Sequence, residues 1–386
     1  MLEKALRGSK AYWGWIIFLL ALVSIGFACY LGQLSRGLAI TGMSRDVSWG
    51  LYIGQFTFLV GVAASAVMVV LPYYLHNVKE FGRITILGEF LAVSAIIMCL
   101  LFVIVDLGKP MRLLNMILYP TPRSILFWDM VVLTGYLLLN LITGWHALEA
   151  EAKTVTPPGW TKILVYISIP WAVSIHTVTA FLYAGLPGRH YWLTAIMAAR
   201  FLASAFASGP ALLILLSFVI KRVSRFDPGR EAIQKLAGIV TYATAISAFF
   251  IGLEFFTAFY SQVPAHGMTS LAYLFWGLEG HGKLVPWMWV FVLLLALALV
   301  LLINPQTRAQ EKWLKLASAA VFFGMWIEKG IGLVIAGFIP NPLEKVVEYV
   351  PTLPEALIAL GIWAAGFLIL TLLYKITIAV KEETVQ

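Results

Sequence analysis

The chain has 386 residues, of which 61% are hydrophobic and only 12% charged, with a net charge of +8. Its mean hydropathy is +0.89. Soluble domains are about 45–50% apolar and about 25% charged, so this composition excludes an ordinary soluble fold. It points to an integral membrane protein of the all-α, polytopic class. The two cysteines, Cys29 and Cys99, lie within apolar runs and have no ligand spacing. A disulfide framework, a structural zinc and a cysteine-held iron–sulfur cluster in this chain are therefore not expected.

The first apolar run, Trp15 to Gln33, follows Lys4, Arg7 and Lys10. It is long enough to span, and no small-x-small cleavage site follows it, so it reads as an uncleaved first helix. Nine further runs follow in chain order. The ten predicted spans are about 13–34, 49–75, 84–105, 125–145, 163–184, 196–220, 236–260, 286–303, 314–338 and 355–376. With the N-terminus in the cytoplasm, most of the 27 Lys and Arg residues fall on inside segments. The expected location is the cytoplasmic (inner) membrane with both termini cytoplasmic. The positive charge follows from that bias and gives no reason to invoke nucleic acid.

The outside loops, 106–124, 185–195, 261–285 and 339–354, are rich in Pro and Gly and contain Trp192, Tyr273, Trp276 and Tyr349. An interfacial aromatic belt and a docking surface for a peripheral partner both account for them. Small-residue stretches "VGVAASA" (60–66) and "LASAFASG" (202–209) echo each other. The echo divides the chain into an N-terminal segment with the first span (1–48), two four-helix bundles (49–184 and 196–338), and the last span with its cytoplasmic tail (339–386).

Ionisable residues inside a membrane are costly and usually functional. At about 1.5 Å per residue, Asp129 and Arg200 lie roughly 6 Å below the outer face. Glu254 lies roughly 8 Å down, His176 roughly 12 Å and Glu328–Lys329 roughly 15 Å, while Glu89 is near the inner face. His176, Thr179 and Tyr183 form an i, i+3, i+7 stripe on the fifth span. Ser247, Glu254 and Ser261 form another on the seventh, and Trp49, Tyr52 and Gln55 line one side of the second. Such stripes suggest a shared pocket in the outer half, although hydroxyls of this kind also serve plain interhelical bonding. Glu328 and Lys329 point about 100° apart, so at least one needs another partner. The other histidines, His76, His146, His190, His266 and His281, sit at ends or in loops, so a bis-histidine haem is not expected. His176 is left for proton transfer or for a hydrogen bond to the polar head of an apolar ligand such as a quinone.

Two motifs carry a resemblance. "SWGLYIGQFTFLVGVAAS" (48–65) and "DLGKPMR" (106–112) resemble the second-helix opening and the post-third-helix signature of NrfD/PsrC-like membrane proteins. Within that family the ten spans and "SWGLYI" are most similar to the DsrP type. The resemblance covers about 13–376. It implies a subunit that is not catalytic alone but belongs to a multi-subunit menaquinol oxidoreductase complex. Menaquinone would be the bound substrate, with no haem, iron–sulfur cluster or metal in this chain. The implied partners are an extracytoplasmic ferredoxin-like iron–sulfur subunit, other membrane and cytochrome subunits of a Dsr-type complex, and lipid. The matching quinone-binding positions are Trp49, Tyr52, Gln55, Asp106, Lys109 and Arg112, with Asp129, His176 and Tyr183 alongside. A proton pathway would use Glu89, Glu254, Glu328 and Lys329. Some members carry a histidine near the position of Phe56, which this chain lacks, so His176 is expected to supply that donor or the quinone to sit differently. A stand-alone proton or ion transporter and a passive anchor for an iron–sulfur subunit are the alternatives.

Overall fold

A computed structural model describes residues 1–262 and 268–384; His266 lies outside them. Among the described residues ten helices are long and apolar enough to cross a membrane. They are α1 (Lys10–Ile40), α2 (Leu51–Tyr74), α3 (Thr85–Asp106), α4 (Ile125–Ala152), α5 (Gly159–Ala184), α6 (Met197–Val223), α7 (Arg230–Tyr260), α8 (Val285–Ile303), α9 (Glu311–Ala336) and α10 (Leu353–Thr384). Each predicted span has its helix, and no strand occurs among the described residues. Lys4 pairs with Glu383, which puts both termini on one face, called here the terminal face. The opposite, loop face carries a short helix, Met268–Phe275.

Burial separates inner helices from outer ones. In α2, α6 and α9 about four-fifths of the apolar window is inside the protein (83%, 78% and 78%), against 17% for α1. The sequence chemistry agrees: α2 has almost no polar side and is apolar all round, as a helix enclosed by others must be. Helices α2 to α5 pack in sequence order, and α6 to α9 form a closed ring, α6 touching α7 and α9. The two groups meet where α2 lies against α6 and α9. The echoed small residues make that contact: a Cβ on Gly209 would stand 2.8 Å from Val62 O and from Ser65 N. Small side chains there let backbones approach, the usual route to helix association in lipid.

Two inner helices are irregular. Helix α2 contains a 3-10 turn at Ala63–Ser65. Helix α9 contains a π-helical segment at Trp326–Gly332, which widens the helix and turns Glu328 and Lys329 off the normal register.

Candidate functional site

The stripe on α5 faces inward. Thr179 donates to Asp129 Oδ1 at 2.6 Å. The Thr57 hydroxyl donates to Ile53 O at 2.7 Å. It therefore accepts from the Tyr183 hydroxyl. His176 is fully enclosed, edge-on to Phe206 with ring centroids 6.3 Å apart, and neither ring nitrogen has a hydrogen-bond partner. A buried imidazole with two unmet nitrogens is a site poised for water or a ligand rather than a satisfied packing residue.

The second-helix residues part company. Trp49 stacks on Trp192 at 5.6 Å and meets Tyr183 edge-on. Tyr52 donates to Gln33 Oε1 at 2.8 Å, and Gln33 in turn donates to Val105 O. Gln55 Oε1 accepts from the indoles of Trp326 and Trp363, each at 2.9 Å, while its buried Nε2 has no partner. The expectation of one common side is thus corrected. Trp49 precedes the first residue of α2, and Tyr52 and Gln55, three residues apart, turn about 60° from each other, so the three side chains meet different neighbours. The "DLGKPMR" segment also divides. Asp106 keeps a buried, unpartnered Oδ1 at the end of α3, whereas Lys109 and Arg112 are exposed on the loop face.

The strongest electrostatic feature includes a residue outside the expected quinone and proton sites. Arg200 binds Glu254 through one guanidinium nitrogen and Glu328 through another. Three helices, α6, α7 and α9, are thereby tied within one buried cluster. Arg200 stands near the start of its span, where a base ordinarily belongs to the loop. The signal for it is that Glu254 and Glu328 both need a cationic partner. Lys329 points elsewhere, its Nζ 3.3 Å from Phe201 O and 4.2 Å from the centre of the Phe201 ring. Glu254 Oε1 remains unpartnered, beside a cavity of about 10 Å³ lined by Tyr191, Ile251, Leu271 and Phe291. That is roughly room for one water. Glu89 stands apart among α3 and α4, accepting from Thr143 at 2.7 Å. Ser261 falls beyond the end of α7 and is exposed, so the stripe on that helix stops at Glu254.

A larger chamber, about 360 Å³, opens at the loop face between α2, α8 and α9. Gly50, Gly54, Trp287, Trp326, Gly330 and Tyr349 are among the residues lining it. Its back wall requires glycine: a Cβ on Gly54 would stand 2.4 Å from Gly330 O. Trp326, on the chamber wall, is the same indole that Gln55 holds. The rim is fixed from segments on the loop face. Tyr349 OH accepts from Leu51 N at 2.8 Å and donates to Glu355. Glu348 accepts from Lys283 N at 2.8 Å and from Tyr273 OH at 3.1 Å. Burial pushes the Glu348 carboxyl up, but these donors and His281 outweigh it and hold it below the usual range. Among the described residues no group of three or more His, Cys, Asp or Glu could hold a metal ion.

The family model for polysulphide reductase, NrfD, matches residues 39–340. The chain belongs to the NrfD family. A putative membrane subunit of dimethyl sulfoxide reductase from Halobacterium salinarum is 28% identical, with 84% of this chain and 77% of the relative covered. A selenate reductase subunit from Mesobacillus selenatarsenatis is 24% identical over 94% and 92% of the two chains. The Hdr-like menaquinol oxidoreductase integral membrane subunit of Archaeoglobus fulgidus is 23% identical over 98% and 96%. This NrfD-family chain is thus a multi-pass membrane protein. Its matched region holds the chamber lining from Gly50 to Ile335, the Arg200 cluster and His176.

Proposed function

We propose that this chain is the quinone-interacting membrane subunit of a respiratory redox complex, exchanging electrons between menaquinone or menaquinol and an iron–sulfur partner docked on the loop face. That face would be extracytoplasmic, with the termini in the cytoplasm as the basic-residue bias expects. The observation that carries the reading is the apolar chamber at the loop face. It is large enough for a bicyclic head group, and mostly apolar sites of this kind with a few polar groups suit such ligands. Trp287 is half-exposed on α8, which gives an apolar molecule a way in from lipid. Exposed Met111, Ile117 and Tyr119 with Lys109 and Arg112 give the loop face an apolar, basic surface for a partner.

Menaquinol oxidation releases two electrons and two protons. The electrons would leave toward the loop face. Protons would pass through the chain's own buried acids and bases: Asp129 and His176 on one side, Glu254, Glu328 and Lys329 on the other, and Glu89 toward the terminal face. Menaquinone as the substrate, a ferredoxin-like iron–sulfur subunit, and cytochrome and further membrane subunits of a Dsr-type complex are parts of this proposal. The three relatives, from reductase and menaquinol oxidoreductase complexes, support it.

A photoreactive menaquinone analogue tests it. Labelling of the purified complex should fall on Trp287, Trp326 or the 349–351 segment. Filling the chamber with Ile331→Trp should lower quinol-dependent turnover at least tenfold. Labelling confined to α5, with Ile331→Trp fully active, would move the quinone to His176. Absence of any quinol-dependent reduction of the complex would remove the reading.

A further inference from the structure

Hydroxyl side chains on these helices follow a rule. Thr57, Thr85, Ser94, Ser217, Thr241 and Thr377 each donate to the carbonyl four residues back. This is the standard way to satisfy a hydroxyl in an apolar helix. Among the described residues four buried hydroxyls have no partner at all: Ser208 on α6, Thr244 and Ser247 on α7, and Ser318 on α9. All four are at most 2% exposed. Leaving a buried donor unmet costs about 1–3 kcal/mol, so these positions call for internal water.

Their heights agree. Counting about 1.5 Å per residue inward from the Arg200–Glu254–Glu328 cluster, Ser247 lies about 10 Å below Glu254 and Thr244 about 15 Å below it. Ser208 lies about 12 Å below Arg200, and Ser318 about 15 Å below Glu328. Three neighbouring helices therefore place unmet hydroxyls at one level beneath one buried cluster. Ser208 Oγ and Lys329 Nζ both approach Gly61, each 3.3 Å from where its Cβ would stand. The polar line on α7 continues to the terminal face through Thr241, whose Oγ1 accepts from Arg308 at 3.3 Å. At the other end Glu254 keeps an unmet Oε1 beside a one-water cavity.

We propose that the α6–α9 ring holds a file of internal water, ordered by Thr244, Ser247 and Ser318, that conducts protons between the terminal face at Arg308 and Glu254. It rests on the proton-coupled reading above and adds a route within the second helix group, separate from Glu89. A hydronium ion from the aqueous phase gives up its proton to the first water of the file. Successive waters pass one proton each, and the last gives its proton to Glu254 Oε1. The carboxylate becomes neutral, and Arg200 keeps Glu328 as its anionic partner. No electrons move in this step.

The test uses the whole complex in proteoliposomes, with a pH dye inside and quinol-driven electron transfer measured in parallel. The double variant Thr244→Val, Ser247→Ala removes two hydroxyls at nearly constant volume. It should cut protons moved per electron at least threefold while uncoupled electron transfer stays within twofold of the parent. Ser217→Ala, which removes a hydroxyl satisfied by its own helix, should leave the ratio unchanged. An unchanged ratio in the double variant, an equal fall in Ser217→Ala, or no proton movement by the parent overturns the file. Loss of uncoupled electron transfer in the parent instead counts against the quinone reading.

Discussion

Arg200 and Glu328, 128 residues apart in sequence, meet as a buried ion pair in which Glu254 also binds the guanidinium. Removing the cation leaves two carboxylates facing each other without a partner. Breaking such a buried arrangement from one side typically costs about 3–5 kcal/mol. Arg200→Leu should therefore lower the thermal midpoint of the detergent-solubilised protein sharply, and adding Glu254→Gln and Glu328→Gln should recover part of the loss. Equal midpoints for Arg200→Leu and the parent would show that the pair does not hold α6, α7 and α9 together.

Gly54 and Gly238 offer a matched pair of helix glycines. A Cβ on Gly54 would press on Gly330 O at 2.4 Å, whereas Gly238 has nothing within 4 Å of that point. Overpacking costs about 1–3 kcal/mol, while Ala for Gly in an open helix position gains about 0.5–1 kcal/mol. Gly54→Ala should lower the midpoint and distort the chamber, and Gly238→Ala should leave it unchanged or raise it. Thermal unfolding of the two variants side by side decides the matter.

Gln55 is the shared acceptor for Trp326 and Trp363. Gln55→Leu strands two indole donors at about 1–3 kcal/mol for each that stays buried. Gln55→Glu keeps the acceptor. The expected result is a tryptophan emission shift and weaker quinol binding in Gln55→Leu, with a smaller effect in Gln55→Glu. Identical emission and quinol affinity in Gln55→Leu would separate this hub from the chamber.

The loop-face clasp at Glu348 responds to acid. Hydrogen bonds from Lys283 N, His281 and Tyr273 hold its carboxyl below the ordinary range despite burial. A carboxyl depressed by folding stabilises fully above its unfolded pKa and loses that contribution as pH falls through the folded value. Protease cleavage between 276 and 284 should therefore rise as pH drops below the usual carboxylate range. Glu348→Gln should raise cleavage at neutral pH and flatten its pH dependence; a slope equal to the parent's would exclude the clasp.

The ten helices were legible in the sequence because bilayer length and backbone satisfaction leave few ways to arrange apolar runs. The inward turn of His176, Thr179 and Tyr183 was legible too, since i, i+3, i+7 spacing marks one helix face. Trp49, Tyr52 and Gln55 misled because α2 begins only at Leu51, so no single helix face carries all three. Arg200 was visible as a buried base, but its pairing with Glu254 and Glu328, 54 and 128 residues away on two other helices, was not. The π-helical turn at Trp326–Gly332 has no one-dimensional period to detect. The chamber is built from four distant segments and from what Gly54 and Gly330 lack, so nothing in any one stretch announces it.

Helix α1 has a consequence for biogenesis. Its main helical neighbour is α10, and the two touch closely enough that a Cβ on Gly26 would stand 2.7 Å from Gly361 Cα. Of these ten spans, α1 thus finds its principal packing surface only when α10 has been made. Until then it rests in lipid without its partner, and the eight spans between the two must be made before the outer pair can close.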